Sequence, residues 1–348
     1  MPDFPSYPAP SADGPGHFPR LIGLDWGSTA CRAYLIGEGG RILDSNIGGL
    51  GVLALSMAAP EKEAAFDSQL ELLVGKWLRT RPGLPLLACG MVGSDQGWAV
   101  APYKETPADL MSKSLLPLTE VSTSSGPLHI VPGLLTNGTK KPHVKGLPDV
   151  MRGEETQILG ALPDIPGDDL SVIILPGTHT KWVRLRGSTV TNFGTSMTGE
   201  IYALLLQHSI LGRLVENPAA PDENAFQQGL DVVFRDGTGP AGGGTDILST
   251  LFSARTLAMT GQIRPSSIPD YISGLMIGTE VAGFAGHWLN SRKDRPTVTI
   301  CANDALASRY ATALLQVDIK ATLAVENAAA RGLWRIGVRA GLIEREST

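Results

Sequence analysis

The stretch "LIGLDWGSTACRAYLI", Leu21 to Ile36, decides how the fold is read. Leu21 to Leu24 has the length and apolar character of a strand. Trp26 to Thr29 carries the glycine and hydroxyls of a tight turn, and Cys31 to Ile36 is apolar again. A buried hairpin needs no carboxylate beside two hydroxyls and a glycine, yet Asp25 ends the first strand and Gly27, Ser28 and Thr29 make the turn. Backbone N–H groups in such a turn form a concave anion site, to which the hydroxyls add donors. A carboxylate at the strand end is placed to hold Mg²⁺ through water. The stretch therefore reads as a phosphate clamp with Asp25 as its metal-orienting group.

The pattern returns in "VIILPGTHTKWVRLRGSTVTNF". Val172 to Leu175 is the apolar strand, Gly177, Thr178, His179 and Thr180 the polar turn, and Lys181 to Leu185 the second strand. Each copy then turns into a third strand: "GEGG" (Gly37 to Gly40) leads to Arg41–Asn46, and Arg186-Gly187-Ser188 leads to Thr189–Phe193. Helical periodicity follows each meander, over Pro60–Arg79 after the first and over Glu200–Leu214, Asp246–Thr260, Ile268–Asn290 and Asp304–Leu315 after the second. Two copies of strand meander plus helices imply an α/β chain of two domains with both turns facing one cleft. Two nests gripping from opposite sides suit the phosphate chain of a nucleotide. No GxxxxGK[ST] joins a strand to a helix, which excludes a Walker P-loop. In "GPAGGGTDIL" (Gly239 to Leu248) the glycines lead into a helical pattern, with Thr245 or Asp246 as its N-cap.

The bulk numbers frame this. A chain of 348 residues with 43% hydrophobic content buries a sizeable core and has the composition of an ordinary globular protein. A formal net charge of −5 with no basic run argues against a nucleic-acid partner. Cys31, Cys89 and Cys301 lie far apart among apolar neighbours and read as buried, reduced thiols. No apolar run reaches the roughly 18 residues of a membrane span. Residues 1–20 carry six prolines and no apolar signal core, so they read as a disordered leader on a cytoplasmic protein. Oligomeric state stays open, a homo-oligomer included.

Six blocks in order, "DWGSTACRAYLI", "ACGMVGSDQGWAVAPY", "VMRGEETQILGA", "LPGTHTKWV", "MTGEIYALLLQHSILG" and "GLMIGTEVA", resemble the 2-dehydro-3-deoxygalactonokinase family. The resemblance spans about Leu21 to Ile343. The family's sugar-acid kinases belong to the actin/hexokinase/chaperone ATPase superfamily. The resemblance implies a duplicated ribonuclease H-like fold with an interdomain nucleotide cleft, divided into domains at residues 21–165 and 166–345. It also implies ATP and Mg²⁺, and phosphorylation of the C6 hydroxyl of 2-dehydro-3-deoxy-D-galactonate, a small-molecule acid whose product is split by an aldolase in galactonate catabolism.

Site roles follow from the same resemblance. Related sugar kinases carry a Gly-Asp pair whose Asp is the base, which makes Glu154 the first choice for the base here and Glu155 the second. Both are also suited to the positive end of a helix. Arg152 is placed to pair the substrate carboxylate or a structural partner. Ser94, Gln96, Trp98 and Tyr103 offer a polar and aromatic wall for a polyol acid, while Asp95 stands where the family often has a basic residue or Asn. His179 either donates to phosphate or bonds its own backbone. Adenosine is expected at Ala302-Asn303, where Asn303 replaces the superfamily's usual glycine and retains access to its left-handed backbone. A kinase of the same fold acting on another sugar acid or polyol is the first competing reading, and an ATP-switched binding protein of the actin or chaperone kind is the second. The polar loop from Ser94 to Tyr103 and the Gly153-Glu154 pair favour a small-molecule pocket.

Overall fold

The computed structural model describes residues 18–56, 61–137, 147–216, 220–234, 246–289, 295–324 and 327–343. Most of the expected leader, the helix start at Pro60, the glycine-rich stretch through Thr245 and the helix end at Asn290 lie outside the described residues.

Strands β1 (Leu21–Trp26) and β2 (Ala30–Ile36) enclose the first polar turn, and β3 (Ile42–Leu50) completes the meander. β3 continues past Asn46 because it stays paired with β2 as far as Ala30 opposite Leu50. Helices α1 (Val52–Ser56) and α2 (Lys62–Thr80) lead to β4 (Leu86–Gly90). That strand stops before Val92, in a 3-10 turn over Met91–Gly93 that Gly90 enters with φ 95°. Short strands β5 (Lys104–Glu105) and β6 (Ala108–Asp109) precede the hairpin β7 (Thr119–Thr123) and β8 (Gly126–Ile130). After it come β9 (Leu134–Thr136), β10 (Asp149–Met151) and helix α3 (Glu154–Ala161).

The second meander is β11 (Leu170–Leu175), β12 (Thr180–Arg186) and β13 (Thr189–Ser196). Helix α4 (Thr198–His208) follows, and the chain reaches Leu214 through a separate 3-10 turn rather than one continuous helix. Next are α5 (Glu223–Phe234), α6 (Ile247–Leu251) and α7 (Ser253–Met259); the helix expected over Asp246–Thr260 is thus broken at Phe252. Asp246 is its N-cap, accepting from the Leu248 N–H at 3.1 Å. The chain ends with α8 (Ile268–Trp288), β14 (Thr297–Ile300), α9 (Asp304–Leu315), β15 (Ala321–Leu323) and α10 (Ala328–Arg339).

Strand order carries the duplication. The first sheet runs β3-β2-β1-β4-β8-β7 and the second β15-β14-β11-β12-β13-β6. In each, the first two neighbouring pairs of the meander are antiparallel, and the next two strands add in parallel beside the first strand. This is the two-copy ribonuclease H-like unit of the actin/hexokinase-like architecture. A third sheet, β10-β9-β5, stands beside them.

The pleat sorts side chains into layers, because successive residues point to opposite faces. Ile22, Leu24 and Trp26 pack on Phe66, Leu70 and Val74 of α2. Val172, Ile174 and Trp182 pack under α8 and α9. The alternate set, Leu21, Leu87, Ile173, Leu175, Val183 and Leu185, joins a central core shared by the two sheets, with Leu333 and Ile336 of α10 in it. Helix α10 lies on α3 and β1, and its contact with α3 is very close. A Cβ added at Gly160 would sit 1.8 Å from the Ala328 carbonyl oxygen, and one at Gly332 would sit 1.9 Å from that of Thr156. Cys31 and Cys89 are buried free thiols, and Cys301 is half-buried. Among the described residues, no helix is long and apolar enough to cross a membrane.

Candidate active site

Both polar turns are buttressed in the same way. In the first, the carbonyls of Gly27, Ser28 and Thr29 accept from the N–H groups of Val52, Leu53 and Gly51, at 3.0, 3.0 and 3.2 Å, where α1 begins. In the second, the Thr178 carbonyl accepts from Glu200 N–H at 3.0 Å, in the first turn of α4. Fixing the carbonyls to a following helix turns the amides the other way. Among the described residues, the N–H groups of Ser28, Gly177 and Thr178 donate to no backbone carbonyl.

These amides border a cavity of about 450 Å³ lined from both halves of the chain. Asp25, Gly27 and Ser28 come from the first turn, and Gly177, Thr178, His179 and Lys181 from the second. Tyr103, Arg152, Glu154 and Gln157 form the side between them. A second cavity of about 650 Å³ is lined by Thr198 and Tyr202 of α4, Met276 of α8, and Asn303, Leu306 and Arg309 at α9. The two cavities share Gly177 and Thr178.

Gly153 sets the acidic corner. Its φ of 106° is open to glycine, and it passes so close to the end of β4 that a Cβ would meet the Gly90 Cα at 3.1 Å. The adjacent carboxylates diverge at this point. Glu154 lines the cavity, with Oε2 accepting from the Arg152 N–H at 3.0 Å. Glu155 is fully buried away from it, taking the Gly153 N–H on both oxygens, at 3.0 and 2.8 Å, and the Thr156 hydroxyl at 3.0 Å. Burial raises both carboxyls. Lys181 pulls Glu154 back down, whereas the neighbouring Glu154 pushes Glu155 further, to about 8.

Asp25 is also raised by burial, with Arg32 3.9 Å away lowering it. A single carboxylate that borders two phosphate-sized nests and has only a distant cation suits Mg²⁺ held mainly by nucleotide oxygens and water. Among the described residues, no cluster of three or more metal-ligating side chains offers an all-protein cage.

Arg152 is 8% exposed, its guanidinium 4.3 Å from the Tyr103 ring centre. Nη2 donates to the Ala101 carbonyl at 2.7 Å, while Nε and Nη1 are buried with no partner among the described residues. A buried cation with unmade hydrogen bonds is costly unless a ligand completes it.

Other expected site residues stand elsewhere. The Ser94 hydroxyl closes its own turn on the Met91 carbonyl at 2.7 Å. Gln96 is exposed, and Trp98 stacks on Phe66 at 5.6 Å in the first lobe's outer core. Asp95 is exposed too. Thr29 is exposed outside the cavity, and the buried Thr180 hydroxyl meets Tyr310 OH at 2.9 Å. His179 pairs with Glu200 rather than with its own backbone. Ala302 packs against the second lobe's core. Asn303 lines the larger cavity but has φ −66° and ψ 158°, an extended backbone, so the left-handed conformation expected there is not used. It is instead the N-cap of α9, accepting from the Leu306 N–H at 3.1 Å.

The sequence profile of the 2-keto-3-deoxy-galactonokinase family matches residues 25–336. The chain belongs to that family. It is 34% identical to the 2-dehydro-3-deoxygalactonokinase of Escherichia coli K12 over 292 residues, which cover 84% of this chain and 88% of the other. A Rhizobium meliloti protein assigned the same activity is 32% identical over 324 residues, covering 89% of this chain and 96% of the other. The crystal structure of a Sinorhizobium meliloti protein of that assignment superposes with a TM-score of 0.74 at 28% identity, covering 94% of this chain and 99% of the other.

Within this kinase family, two features of the present chain carried no local motif. The larger cavity draws on α4, α8 and α9, so no single stretch announces it. Lys181 enters the smaller cavity one residue after the second turn; the only sequence signal was a cation directly following Gly-Thr-His-Thr.

Proposed function

We propose that the protein transfers the γ-phosphoryl group of ATP, in the presence of Mg²⁺, to the C6 hydroxyl of 2-dehydro-3-deoxy-D-galactonate. The observation carrying this reading is the pair of cavities meeting at Gly177 and Thr178, the smaller one holding buried, incompletely bonded Arg152 beside Glu154. Adenosine fits the larger cavity, its phosphates pass the shared turn, and the sugar acid fits the smaller cavity with its carboxylate on Arg152. Glu154, its carboxyl raised by burial but held ionisable by Lys181, accepts the hydroxyl proton. Glu155 supports the α3 N-terminus. Mg²⁺, with Asp25 to orient it, would supply charge neutralisation on the phosphates. Cytoplasmic residence fits a consumer of ATP with free thiols.

The test is direct. The purified protein is incubated with ATP, Mg²⁺ and a panel of 2-keto-3-deoxy acids, and products are assigned by phosphorus NMR. The C6 phosphate of the galactonate derivative is expected. Preferential phosphorylation of another acid or a polyol moves the reading to a kinase of the same fold with a different acceptor. ATP binding without acceptor-dependent ADP release across the panel overturns it in favour of an ATP-switched binder.

A further inference from the structure

Lys181 is 7% exposed, yet it borders the smaller cavity. Its Nζ donates to the Val150 carbonyl at 2.9 Å and to the Thr195 hydroxyl oxygen at 2.8 Å. The direction of the second bond is fixed. Thr195 Oγ1 gives its own proton to Asp149 Oδ1 at 2.8 Å, and Thr195 N–H bonds Asp149 Oδ2 at 2.8 Å, so the hydroxyl can only accept from lysine. An ammonium has three protons, and this anchoring uses two of them. Both acceptors are neutral, and the ammonium also acts through space on the Glu154 carboxyl. One proton of this buried ammonium is thus left to meet an incoming anion.

Two anions enter this site in the kinase reading, on which this inference rests, and two buried cations await them. The planar guanidinium of Arg152 lies on Tyr103, on the acceptor side, and suits a carboxylate. The compact ammonium of Lys181 follows the turn shared with the larger cavity and suits a phosphoryl group, as a point charge. We propose that Lys181 is a catalytic residue whose ammonium contacts the phosphoryl group in transit between ATP and the acceptor hydroxyl. In that step the acceptor oxygen bonds phosphorus, the bond from phosphorus to the β,γ-bridging oxygen breaks, and ADP leaves with the electron pair. The hydroxyl proton passes to Glu154. Lys181 stays protonated throughout and offsets the charge on the non-bridging oxygens. Its charge also opposes the rise that burial imposes on the Glu154 carboxyl, the proton acceptor.

The test is Lys181→Met, which keeps the aliphatic stem and deletes the charge. Removing one donor to a charged transition state lowers kcat by about 10²–10³-fold; KM for the sugar acid and the Kd for ADP should stay at wild-type values. A second readout needs no turnover. ADP with aluminium fluoride and the sugar acid, an imitation of the phosphoryl group in flight, should bind wild type far more tightly than ADP alone, and Lys181→Met should lose that gain. Wild-type kcat, or an unchanged gain from aluminium fluoride, overturns the proposal. So does a defect confined to the KM of the sugar acid, which would place the carboxylate on Lys181. If Lys181→Met does not fold, Thr195→Val carries the test by keeping the charge while removing one anchor. It should lower kcat with ADP affinity intact, and full kcat there overturns the assignment. Absence of phosphoryl transfer by the wild-type protein is a separate outcome and refutes the kinase reading itself.

Discussion

Replacing Arg152 with methionine isolates the recognition of the substrate's charge. The guanidinium spends one donor on the Ala101 carbonyl and leaves Nε and Nη1 buried without partners. A hydrogen bond to a charged group contributes about 1.5–3 kcal/mol, and one incoming carboxylate can take Nε or Nη1 but not both, since these two face different edges of the guanidinium. With a tenfold change for each 1.4 kcal/mol, Arg152→Met should raise KM for the sugar acid by about 10–10²-fold. KM for ATP should be unaffected, because Arg152 does not line the larger cavity. The assay is initial rate against sugar acid at saturating ATP, repeated with the carboxamide analogue. Wild type should discriminate against the amide by a comparable factor, and the variant should treat acid and amide alike. Loss of the 4.3 Å stacking on Tyr103 affects folding rather than this comparison, and thermal melts separate the two. A variant that keeps wild-type KM for the acid, or still discriminates against the amide, refutes the role of Arg152.

Glu154→Gln cannot take the hydroxyl proton and should lower kcat by about 10²–10⁴-fold, while Glu155→Gln, buried outside the cavity, should be much milder in single-turnover phosphorylation. The raised carboxyl of Glu154 places the acidic limb of the kcat/KM profile above the ordinary glutamate range, with activity lost as pH falls through it; a limb at an unshifted glutamate value contradicts this. Asp25→Asn keeps shape and removes charge, so kcat should drop far more than sugar-acid affinity, and wild-type rates at saturating Mg²⁺ would sink that assignment. Glu155 titrates near 8 in the fold against 4.5 as the reference value, so the native state holds a proton that the unfolded chain has released. Its contribution to stability is complete below about 4.5 and lost as pH rises through about 8, so Tm should decline across that window, and the decline should flatten in Glu155→Gln.

The meander and its turns were legible because two different signals coincide. Short, almost continuously buried apolar runs mark β1 and β11 as strands, and the small polar residues that follow each run suit a tight turn. Gly153 forces a break, and the charges beside it stand at a helix start on the cavity wall, as their spacing predicts. The Ser94–Tyr103 loop was not legible. Its composition suits a pocket, but composition does not say which way a side chain points: Ser94 turns back on Met91, Trp98 goes into the aromatic cluster with Phe66, and only Tyr103 faces the cleft. The same holds for Thr180, whose strand register sends the hydroxyl into the core beside Tyr310. Asn303 carries a capping residue type three positions before Leu306, and the fold uses it as the N-cap of α9.

The close fit of α10 on α3 and β1 imposes an order on biosynthesis. As the chain leaves the ribosome, β1 emerges well before the helix that covers one of its faces. Until Ala328–Arg339 is translated, Leu21, Leu87, Ile158 and Leu159 lack the cover supplied by Leu333 and Ile336. The first lobe therefore cannot finish folding on its own while the rest is synthesised, contrary to the usual domain-by-domain course. Nascent chains stalled before Ala328 should display this apolar face to chaperones. The acidic corner carried by α3 therefore waits for α10 before its packing is complete.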